Sequence, residues 1–128
     1  MILLDTHALI WWTLSPVYLS KKAKTICAEI EKSNAFISSI SIWEIGIKIK
    51  NNKIDIGMSI SEYLEKIKLM NLIDILPVDE KIWVESLMLE WSNRDPADRV
   101  IVATAKLNNL TILSKDSGIR QFYKKTIW

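Results

Sequence analysis

The stretch DPADRVIVATA, residues 95 to 105, sets two carboxylates three positions apart at the head of a segment that is apolar on nearly every side. Further acids stand at Asp5, directly after the apolar run ILL, at Glu44 in WEIGI, and at Asp116 just past LTILS. Carboxylates gathered at one partly buried place repel, and some are driven towards neutrality. A divalent cation removes that cost. Oxygen donors without a Cys or His cluster select Mg²⁺, or Mn²⁺, over structural zinc. Each acid taken singly also has a plainer role. Asp95 before Pro96 reads as a helix N-cap with proline at the first helical position, and Asp98 favours the helix dipole. Ser41 and Glu44 have the spacing of a capping box. Asp5 and Asp116 are each placed to cap a following turn, and a cap contributes only about 1 kcal/mol.

The elements decide whether the acids meet. ILLD reads as a short buried strand, followed by a helix through ALIWW. Ser20 caps a second helix, KKAKTICAEIEK, with Ala23, Ile26, Cys27 and Ile30 on one face. AFISS is a strand, WEIGIKIKNN a helix, SEYLEKIKLM another, and LIDILP a strand stopped by Pro77. DEKIWVESLMLE is helical from Asp79, and DPADRVIVATAKL turns at Asn108 and Asn109 into the strand LTILS. A last helix over residues 117 to 123 and an edge strand in KTIW complete the chain. Alternating strands and helices predict an α/β three-layer sandwich with a mostly parallel central sheet flanked by helices. No repeat or linker interrupts it, so one domain is expected over residues 1–128. Ligands bind at the carboxyl edge of such a sheet. Asp5, Asp116 and Glu44 follow strands and belong to that edge. The helix from Asp95 is separated from LTILS by only a short turn, so it runs down from the same edge with Asp95 and Asp98 at its top.

The totals set the remaining bounds. At 128 residues, 49% apolar and 25% charged, the chain suits one compact globular unit. The lone Cys27 rules out an internal disulfide and fits a reducing cytoplasm, as a small core residue. No basic leader precedes the first apolar run, and ALIWWTL is too short to cross a bilayer, so no membrane association is expected. Net charge is only +2, but gathering four of the 15 acids in one site leaves 17 basic groups against 11 acidic ones elsewhere. Such a surface holds phosphate at its rim.

LLDTHALIWW, SSISIWEIGIKIKNNKI, DPADRVIVATA and LTILSKD, in that order and over nearly the whole chain, resemble the PIN-domain ribonucleases, and most closely the VapC-type toxins of type II toxin–antitoxin pairs. Each motif alone is weak, and the four together are specific. The resemblance implies a single PIN-like domain that cleaves RNA phosphodiester bonds with a divalent metal and is held in check by a cognate antitoxin protein. Asp5, Glu44, Asp98 and Asp116 match the family's catalytic acids. Asp5 and Asp98 would bind the metal, and Glu44 and Asp116 would orient water or hold a second ion. Asp95 is left to capping. Thr6 and Ser114 are expected to orient the carboxylates. Asn93 departs from the histidine often found before the RDP segment in related sequences, a change expected to touch substrate but not the metal ligands.

His7 is expected to pack or face substrate, since a metal-bound hydroxide needs no imidazole base. The clusters Lys21–Lys22–Lys24 and Lys48–Lys50–Lys53 suit phosphate, with a solvated helix face as the plainer role. Trp11, Trp12 and Trp43 suit stacking on RNA bases or core packing. Trp11 and Trp12 are adjacent and cannot share one helix face, so one of them is expected at a subunit interface, in a homodimer. Two other functions fit the residues less well. A haloacid-dehalogenase-like phosphatase needs a second Asp two residues after the first, where His7 stands. A non-catalytic PIN-fold binding module would suit an incomplete set of acids, and this set is complete.

Overall fold

Leu3 and Leu4 are both wholly buried although neighbours on a strand point to opposite faces. A strand apolar on both faces needs cover on both sides, and that requirement sets the layers. In the computed structural model, which describes residues 1–128, the chain runs β1 (Ile2–Leu4), α1 (Thr6–Leu14), a 3₁₀ turn (Pro16–Tyr18), α2 (Lys21–Ser33), β2 (Ala35–Ser38), α3 (Ser39–Lys50), α4 (Ile60–Met70), β3 (Ile73–Leu76), α5 (Glu80–Met88), α6 (Pro96–Asn108), β4 (Thr111–Leu113), α7 (Ser117–Phe122) and β5 (Thr126–Ile127). The sheet order is β3-β2-β1-β4-β5. Every strand pair is parallel, so the sheet is wholly rather than mostly parallel.

Two cores lie against the two faces. One gathers Leu4, Ile37 and Leu113 with Leu9, Ile30, Ile45, Tyr63 and Ile67 from α1 to α4. The other gathers Leu3 and Ile112 with Ile82, Ile119 and the body of α6. Each buried Leu or Ile stabilises the fold by roughly 1.5–3 kcal/mol. Helix α6 has seven buried residues, among them the unbroken run Val100–Ala105, which explains its nearly continuous apolar sequence. Asparagine takes glycine's part at the helix ends. Asn71 and Asn109 adopt the left-handed conformation that turns α4 towards β3 and α6 towards β4. Cys27 is buried as expected, and burial pushes its thiol up to about 11, which leaves it inert.

Two expectations change. Helix α3 begins at Ser39, not Trp43, because the Ser38 hydroxyl accepts from the Ile40 N–H and caps it. Ser41 and Glu44 therefore form no capping box. The run ISSISI, with isoleucines at residues 37, 40 and 42, has no periodicity that separates strand from helix, so the sequence leaves this boundary open. Nor is one of Trp11 and Trp12 kept from the core by the other. Both are half-buried against the first core, Trp11 beside Tyr18 and Trp128. Large exposed apolar residues stand on α3 (Trp43, Ile47) and α5 (Trp83, Val84, Leu87, Met88), with others at Met1, Val17, Tyr18, Leu69, Met70 and Leu107.

Candidate active site

From β1 the chain moves outward to β2 and β3, then returns to lay β4 on the other side of β1. The crevice above β1 and β4 is thus the switch point where parallel α/β sheets bind ligands. Asp5 and Asp116 stand there. Asp5 is held on three sides. Its N–H donates to the Leu113 carbonyl at 3.2 Å, its Oδ1 accepts the Ala8 N–H at 2.8 Å, and it is 5% exposed. Asp116 accepts the Ile119 N–H at 2.9 Å, and its own N–H donates to the Ser114 hydroxyl at 3.0 Å. Asp95 accepts the Ala97 N–H at 2.9 Å as the cap of α6, so Asp98 enters the crevice one turn inside a fixed helix end. The capping roles and the gathering of acids are therefore not rivals, because a carboxylate has lone pairs for both.

Glu44 reaches the same place from the second turn of α3. A hydrogen bond of 2.9 Å between the Thr6 and Ser41 hydroxyls ties α3 to α1 one turn away. Thr6 braces helices rather than orienting a carboxylate, contrary to expectation, while the Ser114 hydroxyl holds the backbone N–H of Asp116. Together Asp5, Glu44, Asp95, Asp98 and Asp116 line one pocket of about 100 Å³, with Lys48 at its side. Lys48 lies 3.9 Å from Glu44, four residues on along α3, the single ion pair in the pocket.

That leaves most of the negative charge uncompensated. Burial raises the Asp5 carboxyl, with Asp116 adding to the rise, against hydrogen bonds from Ser114 and Ala8 and the charge of His7. Burial also raises Asp98, to about 6, helped by Asp95, Asp116 and Glu44 and opposed by Asn93. A carboxyl whose folded value exceeds its unfolded 3.8 keeps its proton longer in the folded chain. Stability is then lost as pH rises from about 4 to about 6, and the whole penalty persists above that window. In chelator, Asp98→Asn should melt above wild type at pH 7.5, with the gain gone by about pH 4. Thermal melts across that range check it, and a gain that does not change with pH would refute it.

Two contributors were not foreseen. Asn93 donates from Nδ2 to Asp98 Oδ2 at 3.1 Å, so the departure at this position does touch an acid of the site. Arg99 turns inward beneath the loop before α6. Its guanidinium donates to the Ser86, Leu89, Trp91 and Asn93 carbonyls at 2.8–2.9 Å. The arginine beside Asp98 in DPADR was the available signal, but nothing in the sequence says that its partners are carbonyls rather than phosphate.

The donor set fits a hard divalent cation. All the pocket's acids are carboxylates, two of them have raised values, and the volume exceeds the roughly 10–15 Å³ that one water needs. No three of the acids already form a closed ligand set. Mg²⁺ keeps several of its waters and is held by one or two carboxylates, so it does not require such a set.

No helix is long and apolar enough to cross a membrane. The chain is 25% identical over 120 residues to Ribonuclease VapC22 of Mycobacterium tuberculosis, covering 93% of this chain and 89% of that protein. Its fold is similar to that of a chain in a toxin–antitoxin complex from Klebsiella pneumoniae, with a TM-score of 0.67 at 18% identity, covering 100% of this chain and 97% of the other. It is also similar to that of FitAcB from Neisseria gonorrhoeae, with a TM-score of 0.68 at 22% identity, covering 98% and 93%. The PIN domain model matches residues 2–125, the span that builds the whole sheet up to β4 and every acid at its switch point, and the chain belongs to the PIN-domain family.

Proposed function

We propose that this chain, as a single PIN-like domain over residues 1–128, is a metal-dependent endoribonuclease and the toxin of a toxin–antitoxin pair. The observation that carries the reading is the meeting of five carboxylates, from four separate stretches of chain, in one small pocket at the switch point. A relative named as a ribonuclease and fold relatives from toxin–antitoxin assemblies support it. Asp5 and Asp98 would hold Mg²⁺ or Mn²⁺. When bound, the ion lowers the pKa of a coordinated water and polarises a phosphate oxygen. Glu44 and Asp116 orient the attacking water across the pocket, and Asn93 fixes the rotamer of Asp98. Lys48 offsets phosphate charge at the rim. No side chain serves as nucleophile, and His7 is not needed as a base.

The missing closed ligand set favours one other reading, a PIN fold that binds RNA without cutting it. Metal decides between them. On the nuclease reading, RNA cleavage needs Mg²⁺ or Mn²⁺ and stops in chelator. The ion also stabilises the fold by about 2.7 kcal/mol at one hundred times its Kd, and the melting temperature rises with it. Asp5→Asn should shrink that rise. Unchanged melting in millimolar metal, with no cleavage, would leave the binding module standing.

For partners, we propose an antitoxin whose Arg or Lys enters the pocket and pairs with Asp5, Glu44 or Asp98. We also propose a homodimer formed through the exposed apolar face of α3 and α5 in a cytoplasmic protein. Light scattering should give a dimer that Leu87→Glu splits. A monomer at micromolar concentration would end the dimer proposal. Inhibition that survives removal of every basic residue from the antitoxin tail would end the pairing proposal.

A further inference from the structure

A second cavity, of about 320 Å³, opens beside the acid pocket and shares Asp5, His7 and Asp116 with it. Its remaining walls are Trp11 and Lys115. The volume lies at the lower end of the roughly 300–1,000 Å³ range of small-ligand sites. The indole of Trp11 is gripped without being stacked. His7, Tyr18 and Trp128 all meet it tilted, at centroid distances of 5.5, 5.9 and 5.6 Å. Trp91 is the contrast, because its face lies flat on Phe122 at 4.7 Å. The Lys115 ammonium stands over the ring of Trp11, 5.8 Å from the centroid. Both His7 and Lys115 are exposed.

Resting on the nuclease reading, we infer that the His7–Trp11–Lys115 cavity is a stacking subsite for the base of the nucleotide next to the scissile phosphate. A half-buried indole packed among three tilted aromatic rings loses little freedom on binding. An exposed cation–π contact is worth only about 2–5-fold in an equilibrium, whereas stacking a base on an aromatic ring is worth about 5–150-fold. A base therefore displaces Lys115 from the ring. The freed ammonium then meets the adjoining phosphate on a rim where Asp5 and Asp116 would otherwise repel it. Every base has a π-face, so this subsite sets register along the strand more than sequence.

The test uses the full chain with its metal and a single-stranded oligoribonucleotide containing one cleavage site. A parallel series replaces each nucleotide in turn by an abasic residue. Trp11→Leu should lower kcat/KM on the intact strand about tenfold, mainly through KM, while Trp11→Phe keeps most of the activity. On the strand whose abasic residue adjoins the cut, wild type should fall to the same level and Trp11→Leu should lose nothing more. That coupling is what a merely structural role would not produce. Lys115→Gln, on an exposed residue that does not threaten folding, should reduce the salt dependence of binding by about one phosphate contact. Equal losses for Trp11→Leu on every abasic strand, or no loss on the intact one, would overturn the subsite while wild-type cleavage preserves the nuclease reading. An inactive wild type would sink both, and would do so before any variant is measured.

Discussion

Asp98→Asn is expected to remove RNA cleavage by at least about 10³-fold while the protein stays folded. A single preorganised electrostatic contact is already worth about 10²–10³ in rate, and a metal ligand should exceed it. Asn keeps the shape of the side chain and an oxygen able to accept from Asn93 Nδ2, which lies 3.1 Å from the present Oδ2. The lost charge belongs to a half-buried group that burial, helped by neighbouring acids, pushes up to about 6. The metal-free variant should therefore melt higher than wild type at neutral pH. Loss of activity together with gain of stability is a pairing that misfolding cannot imitate. Asp95→Asn is the control. Its job is to accept the Ala97 N–H at 2.9 Å, and Asn caps a helix about as well, so its activity should stay within about tenfold of wild type. Cleavage assays and melts on both variants check the pair. Strong cleavage by the Asp98 variant would move the metal elsewhere.

Arg99→Ala should cost at least about 3 kcal/mol of stability. The guanidinium serves four carbonyls spread over residues 86 to 93 and has no acid partner. Hydrogen bonds to a charged group contribute about 1.5–3 kcal/mol each, and carbonyls left unpaired add their own penalty. At this chain length the loss should lower the melting temperature by roughly 10 °C or more. Lysine should not restore it, because three donors on a flexible stem cannot match a planar fork. The damage should reach the site, since Asn93, whose carbonyl Arg99 holds, also grips Asp98. Thermal melts and a cleavage assay on Arg99→Ala and Arg99→Lys check this. A drop of only a degree or two would mean that the loop holds itself.

The sequence by itself determined the layers and the edge. Leu3–Leu4 and Ile112–Leu113 are apolar on both faces, so their strands had to lie in the middle of a sandwich. Local grammar placed the caps, since Ser20, Asp79 and Asp95 each precede a helical period, and the Asn turns marked where α6 gives way to β4. Acids that follow parallel strands share one end of the sheet whatever the side chains do, so Asp5 and Asp116 were legible as neighbours. The tertiary structure alone decided the rest. The start of α3 depended on which backbone group Ser38 would meet, and periodicity does not record that. Thr6 and Ser41 are 35 residues apart, and their hydrogen bond exists only because two helices cross. The partners of Arg99, the grip of Asn93 on Asp98 and the unstacked face of Trp11 are likewise matters of distance across the fold. A periodic pattern reports which face a residue turns inward, but not which group it finds there.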